Sequence, residues 1–273
     1  MDNLNIAFIQ SDLKWEDKAS NIERFSELIG EVRSETDLIL LPETFTTAFP
    51  VDPVKFAEDE SGPTMQWLKE EAKMKDAAIC GTILLKKDGF YRNSLVWMRP
   101  DGGFELYHKR HPFSIGGENE VITKGTERLV VELKGWKISP FVCYDIRFPV
   151  WARNRYQNGG YEYDLAFYLA NFPDSRMIVW NSLLVARAIE NQAFVIGVNR
   201  IGEDPHGLRY SGESQAIDPR GNIISNVEAY REGIGYATLE YENLQKFRTK
   251  FPLGPDWDPY KVMVSPSDGP VFH

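Results

Sequence analysis

The sequence predicts an α/β protein with mixed β-sheets, formed by a single domain over residues 1–273. Apolar runs of strand length alternate with helical segments in the first half and again after Cys143, a pattern typical of parallel strands joined by helical crossovers. Turn signals such as Lys87-Asp88-Gly89 join neighbouring strands in the middle of the chain, which indicates antiparallel hairpins. No linker rich in Gly, Ser or Pro divides the sequence.

The first elements form a strand–helix–strand unit. Residues 4–10 are an apolar run of strand length. Residues 20–32 carry apolar side chains at helical spacing, with Ser20 or Asn21 as the predicted N-cap. Residues 37–41 form a short apolar strand that a proline ends. Two strands separated by a helix predict a parallel pair with a crossover connection.

The remaining elements follow from the same rules of periodicity. We predict helices over 63–75, 147–158 and 177–191, and strands over 77–85, 90–98, 104–109, 136–142, 164–170 and 193–199. The C-terminal part is predicted to consist of strands, two of them linked by a hairpin, over 214–218, 223–227 and 235–241.

The composition excludes several classes of function. Apolar residues make up 42% of the chain and charged residues 26%, which is typical of a globular protein. The net charge of -9, from 31 basic and 40 acidic residues, disfavours binding to nucleic acid. Two cysteines cannot form a disulfide framework, and no zinc, Walker A, GxGxxG or HExxH motif occurs. We therefore expect neither a metal nor a cofactor.

The sequence shows no secretory signal and no apolar run of membrane-spanning length. We therefore expect a cytoplasmic protein that does not bind membranes. In such a reducing compartment both cysteines would be free thiols.

Cys143 is a candidate nucleophile because it ends an apolar strand and precedes a predicted helix. Backbone N–H groups at such a corner can stabilise a thiolate and later an oxyanion. The alternative is a buried structural cysteine, which is the more common role of a cysteine beside a strand and which we assign to Cys80.

Glu43 lies just past the predicted strand over 37–41, and Lys109 lies at the end of the predicted strand over 104–109. In α/β sheets, side chains at the carboxyl ends of strands line the sites. Considered singly, each has an ordinary alternative: Glu43 could cap a helix or face solvent, and Lys109 could belong to the solvated basic cluster His108-Lys109-Arg110-His111.

Taken together, separate blocks of the chain resemble the nitrilase superfamily of carbon–nitrogen hydrolases, which use a Glu-Lys-Cys triad. The Glu, Lys and Cys blocks are LPETFTT (41–47), YHKRHPF (107–113) and CYDIRFPVWARN (143–154). Further similar segments are ANFP (170–173), ARAIENQAFVIGVNR (186–200) and SGESQAIDPRGNII (211–224). The resemblance is strongest to the omega-amidase branch, which hydrolyses the terminal amide of 2-oxoglutaramate and related dicarboxylic monoamides.

The resemblance implies a four-layer α-β-β-α sandwich built on two mixed sheets. It also implies a homodimer or a higher homo-oligomer that acts on a small amide. Alternative substrates within the superfamily are an N-carbamoyl compound, an amide like deaminated glutathione, or a nitrile. An alternative of another class is a catalytically silent binding protein on the same scaffold.

The implied catalytic residues are Glu43, Lys109 and Cys143, with Glu118 as the accessory glutamate and Glu120 as its rival. A free thiol has a pKa near 8.5, so only about 3% is thiolate at pH 7. Lys109 and a helix N-terminus are expected to raise that fraction.

In this mechanism Glu43 takes the thiol proton as Cys143 attacks the amide carbon. Lys109 and the backbone N–H of Tyr144 are the candidate donors to the oxyanion.

A substrate with a distal carboxylate needs a cation in the pocket, since a dry carboxylate without a partner is costly. Arg176, which follows the ANFP segment, is the first candidate. Arg147 is nearer to Cys143 in sequence, but it could equally be structural, paired with an acid such as Asp145 or Glu190. Phe49 is a candidate for the pocket lining, as is Phe45.

Overall fold

The computed structural model of the protein describes residues 1–49 and 52–264. In this part of the chain the strands are β1 (Leu4–Gln10), β2 (Leu38–Leu40), β3 (Ala78–Lys87), β4 (Phe90–Met98), β5 (Phe104–His108), β6 (Val131–Leu133), β7 (Trp136–Val142), β8 (Tyr156–Gln157), β9 (Gly160–Tyr161), β10 (Leu165–Ala170), β11 (Phe194–Asn199), β12 (Ile201–Glu203), β13 (Arg209–Ser211), β14 (Gln215–Ile217), β15 (Ile223–Asn226) and β16 (Gly233–Leu239).

The helices and helical turns lie between and after these strands. The α-helices are α1 (Lys18–Glu31), α2 (Pro53–Phe56), α3 (Pro63–Lys75), α4 (Glu118–Val121), α5 (Pro149–Ala152), α6 (Met177–Asn191) and α7 (Tyr241–Lys250). Single 3₁₀ turns occur at Ser114–Gly116, Cys143–Arg147, Asp174–Arg176 and Gly254–Asp256. Within the described residues no helix is long and apolar enough to cross a membrane.

Most of the strands belong to two mixed sheets. The first sheet has the order β16-β1-β2-β3-β4-β5, and the second has the order β15-β14-β11-β10-β7-β6. In the first sheet β1, β2 and β3 are parallel, and in the second β7, β10 and β11 are parallel. Antiparallel strands flank each parallel centre. The predicted mixture of crossovers and hairpins is thus confirmed.

The two sheets pack face to face, and helices cover their outer faces. The side chains of β1 show this directly, because successive side chains of a strand point to opposite faces of the sheet and those of β1 alternate between two cores. Ile6 and Phe8 belong to the core between the sheets, together with residues of β7, β10 and β11. Ala7 and Ile9 belong to a second core, between the first sheet and helices α1 and α3. With α6 packed on the second sheet, the layers are α-β-β-α, as predicted.

Two helices that the sequence predicts from apolar spacing are confirmed with the same bounds, α3 and α6. The predicted start of α1 is too late, because the N-cap is Asp17 and not Ser20 or Asn21. The carboxylate of Asp17 accepts a hydrogen bond from the backbone N–H of Ser20, and this satisfies one free donor of the first turn.

The helix predicted over 147–158 is wrong. Only the short helix α5 forms there, and the chain then turns back as the hairpin β8–β9. The turn residues Asn158 and Gly159 both have positive φ, 52° and 76°, which is the geometry that an Asn-Gly hairpin turn requires. The Asn-Gly turn therefore determines the structure of this segment, and the helical periodicity of the residues before it does not.

Helix α7 was not predicted, and the last predicted strand ends earlier than expected, at Leu239. The buried residues of α7 are Leu244 and Arg248, one turn apart. Arg248 pairs with Asp164 and donates to the carbonyl oxygens of Gln192 and Tyr163. A helix that packs through a buried arginine shows no apolar stripe.

Replacing Arg248 by alanine should lower the free energy of unfolding by about 3–5 kcal/mol. The substitution leaves the carboxylate of Asp164 buried without its cation, and breaking a buried pair in this way is strongly destabilising. Chemical denaturation measures the change. Lys246→Ala is the control on the same helix, because its pair with Glu242 is exposed and should contribute less than about 1 kcal/mol. Equal losses for the two variants would contradict this account.

Candidate active site

The site forms where strand ends from the two sheets meet. Glu43 lies just beyond β2, and Lys109 follows β5 directly. Since β3 and β5 are both antiparallel to β4, they run in the same direction as β2, and their carboxyl ends share one edge of the sheet. Cys143 and Asn171 follow the parallel strands β7 and β10 of the second sheet. The backbone and side-chain N–H groups of Asn171 donate to Glu43, which joins the two edges.

Lys109 is the centre of a buried ionic cluster. Its Nζ lies 2.8 Å from Oε1 of Glu43 and 2.7 Å from Oε2 of Glu118. All three side chains are almost completely removed from solvent, at 1% to 3% exposure. Glu120, the alternative accessory glutamate, is exposed. The structure therefore brings Glu43, Lys109 and Glu118 together and leaves Glu120 outside.

The charges of this cluster depend on one another. Burial acts to lower the pKa of Lys109, but the carboxylates of Glu118 and Glu43 outweigh it, so that the pKa of Lys109 is raised. Burial raises the pKa of Glu118, and the charge of Glu43 adds to that effect while Lys109 opposes it. The lysine is therefore a permanent ammonium group, held by two carboxyl groups that compete for it.

Glu43 is held from several sides. Its Oε1 accepts hydrogen bonds from Lys109 and from Nδ2 of Asn93, at 2.8 Å and 2.9 Å. Its Oε2 accepts one from the backbone N–H of Asn171, at 2.9 Å. Thr44, the next residue, has a φ of 43°, which is unusual for a β-branched side chain. Its N–H donates to the hydroxyl of Thr82. The carboxylate consequently has little freedom to turn.

Cys143 is the first residue of a 3₁₀ turn and has a φ of 39°. A positive φ places the side chain at a sharp corner, with strain that the surrounding structure must hold. Asp145 supplies that support, because its carboxylate accepts hydrogen bonds from the N–H of Val142 and the hydroxyl of Tyr107. The Sγ atom of Cys143 lies 3.9 Å from the carbonyl oxygen of Asn171.

Lys109 favours the thiolate of Cys143, as expected, but it does not determine the resting state of the sulfur. Burial raises the pKa of Cys143 well above its usual value, and the charge of Glu43 raises it further. Lys109 acts in the opposite direction but does not compensate. The reason is that the lysine is already shared by two carboxylates. The sulfur is therefore a protonated thiol that needs a base when it attacks, and Glu43 lies close enough to hydrogen-bond with it.

A cavity of about 220 Å³ opens beside Cys143. Glu43 and Lys109 form part of its wall, and Glu118 lies behind Lys109. The rest of the lining combines aromatic and apolar side chains with a few polar ones, namely Phe49, Phe113, Gly116, Tyr144, Arg147, Asn171, Phe172, Pro173, Arg176, Asp204, His206, Leu208 and Tyr210. The volume suits a small substrate of a few heavy atoms.

Arg147 and Arg176 both line this cavity, and neither guanidinium has a carboxylate partner among the described residues. Arg147 lies over the ring of Phe172 and Arg176 over that of Phe113, at 5.6 Å and 5.2 Å. The acids suggested as structural partners of Arg147 are engaged elsewhere. Asp145 accepts from His111 and Tyr107, and Glu190 pairs with Arg187.

The other predicted residues divide between the cavity and the core. The ring of Phe49 lies 5.2 Å from Nζ of Lys109 and lines the cavity, whereas Phe45 is fully buried in the core against Phe25. Tyr144 lines the cavity through its ring, which packs edge-on against Phe113. Cys80 lies in the core, as expected. In the described ranges no three His, Cys, Asp or Glu side chains are arranged to hold a metal ion.

Sequence reasoning missed two asparagines that contact the cluster. Asn171 was part of a recognised segment, ANFP, but received no role, although it bonds to Glu43 and faces Cys143. Asn93 lies inside β4, where its amide contacts both glutamates. The sequence signal for Asn93 is its position as a polar residue in a predicted strand, where the residues that follow it are buried. Such residues are satisfied by partners that only the three-dimensional structure reveals.

A family model described as carbon–nitrogen hydrolase matches residues 5–249. The chain therefore belongs to the carbon–nitrogen hydrolase family. Among curated proteins, a relative named omega-amidase YafV from Yersinia enterocolitica is 39% identical over 263 residues, which are 96% of this chain and all of the relative. A protein named 2-oxoglutaramate amidase, from Bacillus subtilis, is 32% identical over 254 residues, 92% of this chain and 96% of its own.

Solved structures agree with this assignment. XC1258 from Xanthomonas campestris, described as a CN-hydrolase superfamily protein with an arsenic adduct in its active site, superposes with a TM-score of 0.94 at 39% identity. That comparison covers 96% of this chain and all of the other. Nit3 from Saccharomyces cerevisiae, described as a member of branch 10 of the nitrilase superfamily, has a TM-score of 0.80 at 25% identity, over 92% of this chain and 95% of its own.

Replacing Glu43 by glutamine should lower the pKa of the Cys143 thiol and yet make the protein less reactive toward an amide. The substitution removes a negative charge that disfavours the thiolate, but it also removes the base. A pH titration of the ultraviolet thiolate absorbance, in a Cys80→Ala background, measures the first effect. A thiol pKa that stays unchanged or rises in Glu43→Gln would show that Glu43 does not act on Cys143.

Proposed function

We propose that this carbon–nitrogen hydrolase is an amidase that cleaves the terminal amide of a small dicarboxylate monoamide, such as 2-oxoglutaramate or succinamate. The observation that carries the proposal is the cavity itself. A thiol and a buried carboxylate lie at one side of it, and two guanidinium groups lie in its wall, with no carboxylate partner in the described part of the chain. The names of the relatives from Yersinia enterocolitica and Bacillus subtilis support the same substrate class.

The first half of the reaction forms a thioester. Glu43 accepts the thiol proton while the sulfur of Cys143 bonds to the amide carbon, and the carbonyl oxygen becomes an oxyanion. Nζ of Lys109 and the backbone N–H of Tyr144 are the donors that stabilise this charge. Glu43 then gives its proton to the nitrogen, the C–N bond breaks, and ammonia leaves.

The second half of the reaction hydrolyses the thioester. Glu43 accepts a proton from water as the water oxygen bonds to the acyl carbon, and Lys109 and Tyr144 again stabilise the oxyanion. The C–S bond then breaks, the carboxylic acid leaves, and the proton returns from Glu43 to the sulfur. In this scheme Glu118 orients Lys109, which it contacts at 2.7 Å. A protonated thiol in the resting enzyme fits this scheme, because Glu43 then acts as the base in the first half as it does toward water in the second.

The distal carboxylate of the substrate would bind the guanidinium of Arg176 or Arg147. A planar guanidinium can donate two parallel hydrogen bonds to a carboxylate. Because neither arginine pairs with an acid among residues 1–49 and 52–264, a substrate carboxylate would not have to displace one of these acids. Phe49 lies on the Lys109 side of the cavity and would contact the apolar part of the acyl chain.

Other carbon–nitrogen substrates are the alternative within the family, namely an N-carbamoyl compound, an amide like deaminated glutathione, or a nitrile. A screen for ammonia release over succinamate, 2-oxoglutaramate, glutamine, asparagine and carbamoyl compounds separates them. A catalytically silent binding protein is disfavoured, because a buried cluster of three charged groups next to a strained cysteine is costly to fold and has no structural purpose.

We also propose that the protein is a cytoplasmic homodimer or higher homo-oligomer. Helix α6 supports self-association, since Ile178 and Ile189 are 80% and 47% exposed on its outer side. Apolar side chains at this spacing on one helix suit contact with a second copy. Sedimentation of the purified protein tests the oligomeric state.

Replacing Cys143 by alanine should abolish ammonia release from succinamate while the fold is retained, because no other group of the site can form the thioester. Circular dichroism checks the fold. Cys80→Ala is the matched control and should keep most of the activity, since Cys80 is fully buried in the core. Turnover close to that of the wild type in Cys143→Ala would refute the mechanism.

Replacing Arg176 by alanine should reduce kcat/KM for succinamate or 2-oxoglutaramate by about 30- to 1000-fold, the value of a charge-assisted pair of about 2–4 kcal/mol. The loss for a small uncharged amide should be much smaller. Arg147→Ala, measured on the same substrates, tells which guanidinium binds the carboxylate. If charged and neutral substrates lose activity equally in both variants, the arginines are not carboxylate ligands.

A further inference from the structure

Asn93 contacts all three charged members of the cluster around Lys109, although it is neither charged nor part of the triad. Its Nδ2 donates to Oε1 of Glu43 at 2.9 Å and to Oε1 of Glu118 at 3.1 Å. Its backbone carbonyl oxygen accepts the N–H of Lys109, at 2.9 Å. The residue is fully buried. A single amide group therefore connects the two glutamates from the side of β4.

The orientation of this amide is determined by its neighbours. An amide nitrogen has two N–H donors, and here they face two carboxylate oxygens. Turning the amide over would place Oδ1 against both carboxylates, which is strongly unfavourable. In the orientation observed, Oδ1 of Asn93 is buried and has no hydrogen-bond partner among the described residues. An unpaired buried acceptor lowers the stability of the fold. The two hydrogen bonds that the amide of Asn93 donates are therefore kept at a cost in stability, as is typical of functional sites.

The two glutamates repel each other at this distance. Within the described part of the chain, Lys109 is the only cation in direct contact with them, and it has one charge for two carboxylates. The other charged or titratable described groups that face the cavity are Cys143, Tyr144, Arg147, Arg176, Asp204, His206 and Tyr210. Asn171 donates to Oε2 of Glu43, and the N–H of Phe113 donates to Oε2 of Glu118. Asn93 is the neutral donor that bonds to both carboxylates, and its loss makes protonation of the pair more favourable.

Resting on the proposed amidase function, we propose that Asn93 is a positioning residue that keeps Glu43 and Glu118 ionised and fixed around Lys109. The amide of Asn93 is a neutral donor, so it stabilises the two carboxylates without changing the net charge around Lys109. Through Glu43 it keeps the base in the form that can accept the thiol proton. Through Glu118 it keeps the position of the lysine ammonium.

The test is the pH dependence of the carboxyl groups in Asn93→Leu, which has a similar shape but no donor. The acid limb of kcat/KM for succinamate should move to higher pH by about one unit, because each lost hydrogen bond to a charged group disfavours its ionised form. A second readout needs no substrate: an NMR titration of the side-chain carboxyl carbons of glutamate, assigned with Glu43→Gln and Glu118→Gln, should show the same upward shift.

Asn154→Leu is the matched control. Asn154 is equally buried, but its side chain bonds only to backbone groups of Arg155, Tyr163 and Asn191. This variant should lose stability without moving the acid limb or the carboxyl titration. If a leucine variant does not fold, Asn93→Asp and Asn154→Asp form the isosteric pair, and Asn93→Asp should show the larger upward shift because it adds a third carboxyl group.

The outcomes separate the two proposals. An upward shift confined to the Asn93 variants supports the positioning role. An unchanged titration in a folded Asn93 variant, with or without loss of stability, would overturn that role even if the protein is an amidase. If the wild type releases ammonia from no amide, the proposed function fails, and the carboxyl titration still decides the role of Asn93.

Discussion

One buried ammonium group, Nζ of Lys109, determines the electrostatics of the site. It has lost its hydration, and two carboxylates at 2.7 and 2.8 Å replace the water. A buried charge is tolerated only when partners of this kind surround it. Burial raises the pKa values of Glu118 and Cys143, and the charge of Glu43 raises them further, because the single charge of Lys109 opposes these effects only in part. The sulfur is consequently a thiol at rest and depends on a base.

The architecture explains why these groups meet. Each sheet has a parallel centre, and the carboxyl ends of its strands lie at one edge, where the chain must turn. Two of these turns have non-glycine residues with positive φ, Thr44 after Glu43 in the first sheet and Cys143 in the second. Strain of this kind persists only where the surroundings hold it. Asp145 holds the turn at Cys143, and Asn171 holds the other turn by donating to Glu43 and to the hydroxyl of Thr44 across the gap between the sheets.

Much of this arrangement could be predicted from the sequence. Strands, crossovers and hairpins follow from periodicity and turn residues, and the strand-end positions of Glu43, Lys109 and Cys143 follow from those strands. The remainder depended on polar contacts over long sequence distances. Asn93 lies 50 residues from Glu43, and no local pattern relates them. Helix α7 could not be predicted for the same reason. Its buried contacts include those of Arg248, and it has no apolar stripe that would show as helical periodicity.

The central claim is that Cys143 carries the acyl group between two steps that Glu43 assists. Rapid acid quenching during turnover of succinamate, followed by intact-protein and peptide mass spectrometry, tests it directly. The account predicts a transient adduct with the mass of the substrate less ammonia, on the peptide that contains Cys143. Ammonia release without any adduct, or an adduct on another residue, would contradict it.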